Sequence, residues 1–520
     1  MYPGKYAVER ADQPCFIMAS TGEAVTYAEY EARTNRLAHV LRNAGLGFRD
    51  HYTVFMENNA RYLESCGAGE RTGLYVTAAN SHLTADELAY ILENSESKAL
   101  IASASTLPAA AAAAAQVPAV ELLLVVDEEG SLSPSDRHGF LDFLETTATQ
   151  PGTPVSDERR GRVMLYSSGT TGRPKGILYD LPEVPPETML SPQEFLASLW
   201  GFREGVTYLS PAPLYHSAPQ GSVGLTIRTG GTAIIMERFD ATEYLRLVER
   251  YRVTHSQLVP TMFVRMLKLP DEVRLSFDVS SLEVAVHSAA PCPVPIKEQM
   301  IEWWGPILVE YYGATEAMGF AACNSEEWLA HRGTVGRVVS GDLRVCDDLL
   351  NEVPAGMPGT LWFVTDRPVR YFNDHERSQE ALSPDGRMCT VGDVGYLDED
   401  GFLYLTDRAT FMIISGGVNT YPQETENLLI THPKVADAAV FGIPHPDLGE
   451  EVKAAVELMP GSTPGPELEA ELIQFCQEHL ARHKCPRSID FEDKLPRLAT
   501  GKLYKRQLRD KYWADAAGRI

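Results

Sequence analysis

The chain has 520 residues, of which 44% are hydrophobic and 22% are charged, and its formal net charge is −25. This composition is ordinary for a globular protein and excludes a disordered or fibrous chain. No nucleic acid partner is expected, because binding to a phosphate polymer relies on an excess of cationic charge that this chain lacks. The length predicts more than one folding unit, with one large and one small domain.

Cysteine usage and the N-terminal sequence indicate a cytoplasmic protein. The eight cysteines are scattered without a CxxC pair, as expected of reduced thiols rather than of a zinc or redox site. The N-terminus has no apolar segment after a basic one, so no secretory signal is expected. The uncharged stretch 99–120 contains two prolines and a run of alanines. It favours a strand and an alanine-rich helix over a transmembrane segment.

The middle of the chain alternates short apolar strands with helices. Strands are predicted over 233–236, 282–286 and 307–311, and a helix over 242–251. This alternation is typical of an α/β domain with buried strands. Further along, 359–365 and 401–406 are strand-like, and Asp400-Gly401 gives a hairpin-type turn. An antiparallel subdomain is therefore expected after the α/β part.

The last hundred or so residues have a pattern of their own. Strands are predicted over 438–441 and 454–458, followed by a helix over 467–480 and a basic tail. The expected fold is α/β, with a large N-terminal domain of α/β subdomains and a small antiparallel β subdomain, followed by a small mobile α+β domain. The boundary is placed near Asp407 and Arg408, which gives domains of 1–407 and 408–520.

The strongest functional signal is a polar loop that follows an apolar strand. Residues 166–176 read Tyr-Ser-Ser-Gly-Thr-Thr-Gly-Arg-Pro-Lys-Gly. Gly169 and Gly172 expose backbone N–H groups, and Lys175 adds a cation, which are the parts of a polyphosphate cradle. Hydroxyl groups come from Ser167, Ser168, Thr170 and Thr171. The spacing is not GxxxxGK[ST], so the loop is not a Walker loop.

Further motifs follow in order along the chain. They are YYGATE at 311–316, TVGDVG at 390–395, DRATFMIISGGVNTYPQETE at 407–426 and PRLATGK at 496–502. With the loop, they make the chain resemble the AMP-forming acyl-CoA synthetases, which belong to the adenylate-forming enzymes. The resemblance begins at Thr26-Tyr27-Ala28-Glu29 and continues to the end. It implies that a carboxylate attacks ATP to give an acyl-adenylate and pyrophosphate, after which the thiol of coenzyme A displaces AMP.

The resemblance also assigns roles to individual residues. Lys175 and the loop would hold the β- and γ-phosphates of ATP, and Glu316 would help to hold Mg²⁺. Asp393 and Arg408 would contact the ribose, and Lys502 would bridge the carboxylate and the α-phosphate. The catalytic candidates are Lys502, Glu316, Thr170 and His216. The cofactor-binding candidates are Ser167, Ser168, Gly169, Thr170, Thr171, Gly172, Lys175, Ala289, Ala290, Pro291, Tyr311, Tyr312, Gly313, Thr315, Asp393, Arg408, Ser415, Gly416 and Gly417.

The thiol step is expected to use a rotation of the small domain. This rotation would bring Ser415-Gly416-Gly417 to the site, where small residues let the pantetheine arm of coenzyme A pass close to the backbone. Thr410 and Phe411 stand where relatives carry Asp or Lys followed by an acid, so the hinge here lacks a charge. His216 either contacts the substrate carboxylate or packs, and both interpretations stay open.

The substrate is expected to be a hydrophobic acid, because no Asp, Glu, Lys or Arg occurs in 218–225, 284–289 or 317–320, which should line the acyl pocket. Gly221, Gly224 and Gly319 are expected to leave room for a long or bulky chain. A medium- or long-chain fatty acid is the first candidate, and a steroid or aryl acid is the alternative.

Other functions remain open at this stage. An enzyme that loads the acyl group on a carrier protein would use the same residues up to the thiol step. A catalytically silent acyl-nucleotide sensor should have lost one of the main catalytic and nucleotide-binding residues. All of these are present, namely Lys175, Glu316, Asp393, Arg408 and Lys502. A homodimer is a further expectation.

Overall fold

The computed structural model describes residues 1–167, 174–366, 369–408, 411–415, 418–446, 448–497 and 503–516, without the side chains of 407–408, 418–419 and 514–516. The chain forms two compact units. The first comprises Met1–Gln257, Ser276–Ala285 and Arg370–Ser378. The second comprises Leu258–Leu275, Val286–Val369 and Gln379–Ile520. Elements that begin in one unit and end in the other are His255–Leu258, Val284–His287 and His375–Glu380.

The first unit contains a seven-stranded sheet that is mostly parallel. Its strand order is Leu141–Asp142, Leu122–Val126, Ser97–Ser103, His51–Phe55, Tyr75–Ala78, Arg162–Ser167 and Lys175–Ile177. The first six strands pair in parallel and the last pair is antiparallel. A second set of strands in this unit has the order Ala24–Thr26, Pro14–Met18, Thr232–Ile235 and Thr207–Ser210, with the last two pairs parallel.

Helices lie before and between these strands, and parallel neighbours need such crossover connections. They are Tyr6–Glu9, Tyr27–Asn43, Ala60–Thr72, Ala85–Asn94, Leu107–Ala114, Phe143–Ala148, Ser191–Leu199, Ser217–Arg228 and Ala241–Tyr251. Thr26 and Glu29 form a capping box, in which the Thr26 hydroxyl accepts from the Glu29 N–H and the Glu29 carboxylate accepts from the Thr26 N–H. The Thr26–Glu29 motif therefore starts a helix. The expected strand and alanine-rich helix within 99–120 are confirmed.

The second unit contains an antiparallel run of strands. Their order is Leu308–Gly313, Phe320–Asn324, Gly336–Ser340, Phe402–Arg408, Asp393–Leu397, Gly359–Val364 and Asp342–Cys346, and Met388–Cys389 pairs with Gly359–Val364. The predicted hairpin is confirmed, since Leu397 pairs with Leu403 across the turn at Asp400-Gly401. The helices before and among these strands are Pro260–Leu267, Asp271–Arg274, Val294–Trp304 and Ser325–Ala330.

The end of the chain forms a separate sheet with helices, as predicted. The antiparallel strand order is Val418–Thr420, Ile413–Ser415, Gly449–Leu458 and Val435–His445, and Ser488–Glu492 joins Gly449–Leu458 in parallel. The helices are Pro422–Leu429, Pro466–His479 and Lys505–Ala516, and Arg482–Lys484 is a short 3₁₀ helix. An apolar core of this sheet includes Ile413, Leu429 and Val440, all buried.

Lys268 joins two parts of the second unit. Its ammonium group, just after the helix Pro260–Leu267, donates hydrogen bonds to the carbonyls of Ile430 (3.2 Å) and Val435. Burial lowers the pKa of Lys268 to about 8. The residues before the antiparallel strands thus contact the end of the helix Pro422–Leu429.

The α/β class with a following antiparallel part and a smaller C-terminal part is confirmed. The boundary between 1–407 and 408–520 stays a prediction. Within the part of the chain that the structure describes, no helix is long and apolar enough to cross a membrane.

Candidate active site

Ser167 and Lys175 are brought together at the edge of the parallel sheet. They lie opposite each other in the antiparallel pair of Arg162–Ser167 and Lys175–Ile177. Both are half-buried. The candidates Ser168, Gly169, Thr170, Thr171 and Gly172 lie outside the described residues. The structure therefore places both ends of the polar loop together at the carboxyl end of a parallel strand, where α/β sheets usually bind ligands.

Tyr371 is a neighbour of Lys175 that the sequence analysis did not identify. The Lys175 ammonium nitrogen lies 4.5 Å from the centre of the Tyr371 ring, within reach of a cation–π contact. Tyr371 also forms a bridge with Ile177, and the Phe372 N–H donates to the Gly176 carbonyl at 2.8 Å. The segment that holds Tyr371 thus extends the edge of the sheet next to Lys175. A signal that could have suggested it is the aromatic pair Tyr371-Phe372 within a polar stretch.

His216 lies at the start of the helix Ser217–Arg228, against the ring of Tyr215, with ring centres 4.5 Å apart. Its Nε2 is buried and has no hydrogen-bond partner among the described residues. Burial lowers the pKa of His216 to about 3, so the ring is neutral at physiological pH. A neutral imidazole has one N–H to donate and one nitrogen to accept, so His216 can offer an enclosed polar atom but no positive charge.

The contact between Tyr312 and Asp393 joins two motifs that are far apart in the sequence. The Tyr312 hydroxyl donates to Asp393 Oδ2 at 2.8 Å. Asp393 stands opposite Arg408 in the hairpin, next to a bulge between Val394 and Gly395. A Cβ at Gly395 would lie 2.4 Å from the Tyr404 carbonyl oxygen, so the backbones approach too closely for any other residue. The TVGDVG motif therefore presents an oriented carboxylate.

Tyr311 and Tyr312 point to different partners, because successive side chains of a strand alternate between its faces. The Tyr311 ring stacks on Phe320, with centres 4.8 Å apart and planes 14° apart. Ala289, in the other predicted adenine segment, has a φ of +75°, and Ala317, which follows Glu316, has a φ of +50°. Left-handed backbone is unfavourable for alanine, so both residues keep a strained conformation that the surrounding structure must hold.

The remaining candidates of the second unit lie in exposed or half-buried positions. Ala290, Pro291, Thr315 and Glu316 are half-buried, and Gly313 is exposed. A half-buried carboxylate such as that of Glu316 is a hard oxygen donor of the kind that Mg²⁺ prefers. The described residues contain no group of three or more His, Cys, Asp and Glu side chains able to hold a metal ion. Glu316 therefore fits a metal held jointly with phosphate oxygens.

Of the C-terminal candidates, the structure describes Ser415 and the backbone of Arg408. Ser415 ends the strand Ile413–Ser415 and pairs with Val418 and Gly449. Lys502, Gly416, Gly417, the hinge candidate Thr410 and the side chain of Arg408 lie outside what the structure describes. Arg497 and Leu503, on either side of the 498–502 segment, are joined by an antiparallel bridge.

One expectation about the acyl pocket is wrong. Gly319 does not leave open space, because a Cβ there would lie 2.0 Å from the Phe363 ring. A Cβ at Gly224 would contact Met1 at 3.6 Å, whereas Gly221 has no described neighbour within 4 Å of such an atom. The hydrogen of Gly319 accommodates an aromatic side chain of the protein itself, so only Gly221 of these glycines faces open space.

Comparison with known proteins shows the family of this chain. The family described as "AMP-binding enzyme" matches residues 4–367, and "AMP-binding enzyme C-terminal domain" matches residues 424–502. A Mycobacterium tuberculosis protein named 3-[(3aS,4S,7aS)-7a-methyl-1,5-dioxo-octahydro-1H-inden-4-yl]propanoyl:CoA ligase is 34% identical over 480 residues, which are 89% of this chain and 89% of the relative.

Two further proteins are similar over almost the whole chain. Long-chain-fatty-acid–CoA ligase FadD13 of Mycobacterium tuberculosis is 30% identical over 515 residues, which are 96% of this chain and 95% of that protein. The crystal structure of the anthranilate CoA ligase AuaEII in complex with anthranoyl-AMP has a TM-score of 0.83 and 25% identity, and the match covers 99% of this chain and 97% of that one.

Proposed function

The chain belongs to the AMP-binding enzyme family and is an AMP-forming acid–thiol ligase, and from this premise we propose that its acid substrate is hydrophobic, with a medium- or long-chain fatty acid as the first candidate. Enzymes of this class use ATP, Mg²⁺ and coenzyme A. The reaction joins the acid to coenzyme A and releases AMP and pyrophosphate. The single observation that supports the site best is the hydrogen bond between Tyr312 and Asp393.

Lys175 and Ser167 are assigned to the phosphates of ATP, together with 168–172. In the first step an anionic carboxylate approaches a polyanion, so cations and N–H donors must balance the charge that develops at the phosphorus. Lys175 supplies a cation that the Tyr371 ring holds at the end of a strand. Glu316 is the residue of this chain that would hold Mg²⁺, which supplies charge neutralisation at the phosphate oxygens.

The nucleoside part of ATP is assigned to the motifs that hold Tyr312 and Asp393. Asp393 would accept hydrogen bonds from the ribose hydroxyls, with Arg408 as the second ribose contact. The Tyr312 hydroxyl occupies one lone pair of Asp393 Oδ2 and orients the carboxylate before the nucleotide binds. Ala289, Ala290 and Pro291 would flank the adenine on one side, and 311–313 on the other.

The small domain, 408–520, is assigned a role in each of the two steps. Lys502 would bridge the carboxylate and the α-phosphate during adenylation, and rotation near Thr410 would then bring Ser415 and the glycines after it to the site. A hinge needs backbone freedom more than a particular side chain, so the uncharged Thr410 and Phe411 are compatible with this movement.

The acid is the least constrained part of the proposal. His216 is neutral and can donate one hydrogen bond to a carboxylate. Gly221 leaves space for an apolar chain, and Phe363 closes the space beside Gly319. The names of the similar proteins include a bulky ring acid, a long-chain fatty acid and an aryl acid. A steroid or aryl acid is therefore the alternative substrate. The cytoplasmic location and the homodimer stay predictions.

A panel of acids tests the substrate. Long-chain, polycyclic and aryl acids are supplied in turn with ATP, Mg²⁺ and coenzyme A, and AMP release is followed. Fatty acids are expected to give the highest kcat/KM. Turnover confined to polycyclic or aryl acids would replace the fatty-acid proposal, and no turnover on any acid would contradict the ligase. If the enzyme prefers a holo-carrier protein to coenzyme A when both compete directly, the acyl acceptor of the second step is a carrier protein.

Lys502→Ala tests the division of labour between the two steps. Acid-dependent exchange between ATP and pyrophosphate is expected to fall by about 10²–10³-fold, since a charge-stabilising group is lost. Thioester formation from a supplied acyl-adenylate should change little. Lys511→Ala is the matched control, because Lys511 lies in the same basic tail, is half exposed and pairs with Glu492 at 2.7 Å. Equal loss of both half-reactions in Lys502→Ala would contradict the assignment.

A further inference from the structure

A buried ion pair lies behind the predicted adenine segments. The Lys297 ammonium group donates to Glu310 Oε2 at 2.6 Å. The side chain of Lys297 is 0% exposed and that of Glu310 is 4% exposed. His287 Nε2 lies 3.6 Å from the same oxygen, and neither ring nitrogen of His287 has a hydrogen-bond partner among the described residues. The sequence analysis did not identify this cluster.

The surroundings of the pair are apolar. The Trp328 ring lies under the ammonium group of Lys297, with its centre 4.8 Å from the nitrogen. The Phe263 ring meets His287 edge to face at 5.4 Å. Burial lowers the pKa of His287 far below its usual value and keeps the ring neutral. Lys297 therefore supplies the positive charge that balances Glu310.

Each partner belongs to an element that leads to a predicted adenine segment. Lys297 lies in the helix Val294–Trp304, which begins soon after Ala289-Ala290-Pro291. Glu310 lies in the strand Leu308–Gly313, two residues before Tyr312 and on the same face of the strand. The pair thus connects the helix that follows one segment to the strand that carries the other.

A pair of this kind does more for register than for net stability. Replacing a buried ion pair with apolar residues of similar size is often neutral or stabilising, because two charges no longer have to be desolvated. An apolar contact tolerates several relative positions of a helix and a strand, whereas a 2.6 Å hydrogen bond between two charged groups fixes one. We therefore expect the pair to specify the register of the helix Val294–Trp304 against the strand Leu308–Gly313.

We propose that Lys297 and Glu310 are positioning residues for the nucleotide. They act through the Ala289–Pro291 loop and through Tyr312, whose hydroxyl meets Asp393, and they do not touch the substrate themselves. This proposal rests on the proposed function, since it assigns these segments to adenine and ribose. It predicts that ATP binding depends on the geometry of the pair and folding much less so.

The double variant Lys297→Met/Glu310→Met removes both charges and keeps the volume. We expect Mg-ATP binding, measured directly without acid or coenzyme A, to weaken by about tenfold. The urea midpoint should stay within about 0.5 M of the wild type, and kcat of acid-dependent pyrophosphate exchange should change less than KM for ATP. Lys297→Gln/Glu310→Gln, which restores a hydrogen bond without charge, should recover most of the affinity.

The matched control is Glu298→Met/Arg332→Met. Glu298 is the next residue of the same helix, and its pair with Arg332, at 2.5 Å, is largely exposed. This control should leave ATP binding unchanged. If the first double variant does not fold, Lys297→Arg tests the positioning role instead. This substitution keeps the charge but changes the length of the side chain. It should weaken ATP binding by at least about threefold with little change in the urea midpoint.

Wild-type affinity for Mg-ATP in folded Lys297→Met/Glu310→Met, or in Lys297→Arg, would overturn the positioning role. The wild-type protein separates this result from a failure of the proposed function. If the wild type neither binds Mg-ATP nor exchanges pyrophosphate with any acid, the proposed function is wrong. If it does both and the variants match it, only the role of the pair is wrong.

Discussion

Lys175 and His216 in the first unit each lie against an aromatic ring, whereas Tyr312 and Asp393 in the second unit are joined by a hydrogen bond. An aromatic contact places a cation or an imidazole without fixing the direction of its hydrogen bonds. A hydrogen bond orients both partners. The contacts in the first unit therefore fix the position and charge of Lys175 and His216. The contact in the second unit also fixes the orientation of Tyr312 and Asp393.

Among the changes that test this comparison, the charge of His216 gives the largest expected effect. Its pKa is about 3 in the folded protein, against an ordinary value near 6.5. Between these two pH values His216 binds a proton in the unfolded chain but not in the folded protein. The wild type therefore loses stability as the pH falls below 6.5. Between about pH 6.5 and about pH 5 the loss attributable to His216 is about 2 kcal/mol. His216→Asn should lack this part of the loss, as measured by urea unfolding.

His479→Asn is the control for that experiment, because His479 is exposed. It should keep the pH dependence of the wild type. Parallel curves of unfolding free energy against pH for the wild type and His216→Asn would show that His216 takes up protons in the folded protein, and aromatic packing would then not control its charge.

The hydrogen bond between Tyr312 and Asp393 can be removed while the Tyr312 ring is kept. Tyr312→Phe deletes the hydroxyl that donates to Asp393, and we expect KM for ATP to rise by about three- to tenfold, which corresponds to about 1 kcal/mol. Tyr311→Phe is the matched control, since the ring that stacks on Phe320 is kept. Equal effects of the two substitutions on KM would mean that the orientation of Asp393 is not what the second unit contributes.

The smallest effect is expected at Tyr371, where the contact is aromatic. Tyr371→Leu removes the ring under Lys175 and should raise KM for ATP by about two- to fivefold, as expected for a cation–π contact of about 0.5–1 kcal/mol. Tyr371→Phe keeps the ring and should behave like the wild type. A loss in Tyr371→Phe as large as in Tyr371→Leu would assign the effect to the hydroxyl instead.

Local patterns predicted most of the fold. The turn at Asp400-Gly401 and the strand-like residues beside it specify the hairpin of Asp393–Leu397 and Phe402–Arg408. The helix predicted over 242–251 is found at Ala241–Tyr251. These elements are determined by turn residues and by periodicity within a short window. The order of strands within each sheet depends on long-range pairing and was not predicted.

In the candidate site, too, local motifs could be predicted from the sequence and long-range contacts could not. Lys175, Tyr312 and Asp393 stand in motifs and were predicted, but their contacts to other parts of the chain were not. Lys297 stands in none of the motifs, and its pairing with Glu310 could not be predicted, because Glu310 follows only after the helix has ended and the burial of Lys297 depends on tertiary packing. The error at Gly319 has the same origin, since the filling ring of Phe363 comes from a distant strand.

The contact of Lys268 has a consequence for the rate of the reaction. In the proposed rotation of 408–520, the ammonium group must leave the carbonyls of Ile430 and Val435 and regain its water shell before a new orientation is reached. If the small domain rotates as proposed, breaking this contact would contribute to the activation barrier between the two half-reactions. Because the pKa of Lys268 is about 8, this group loses its charge at alkaline pH. The barrier would then change with pH even though Lys268 takes no part in the chemistry.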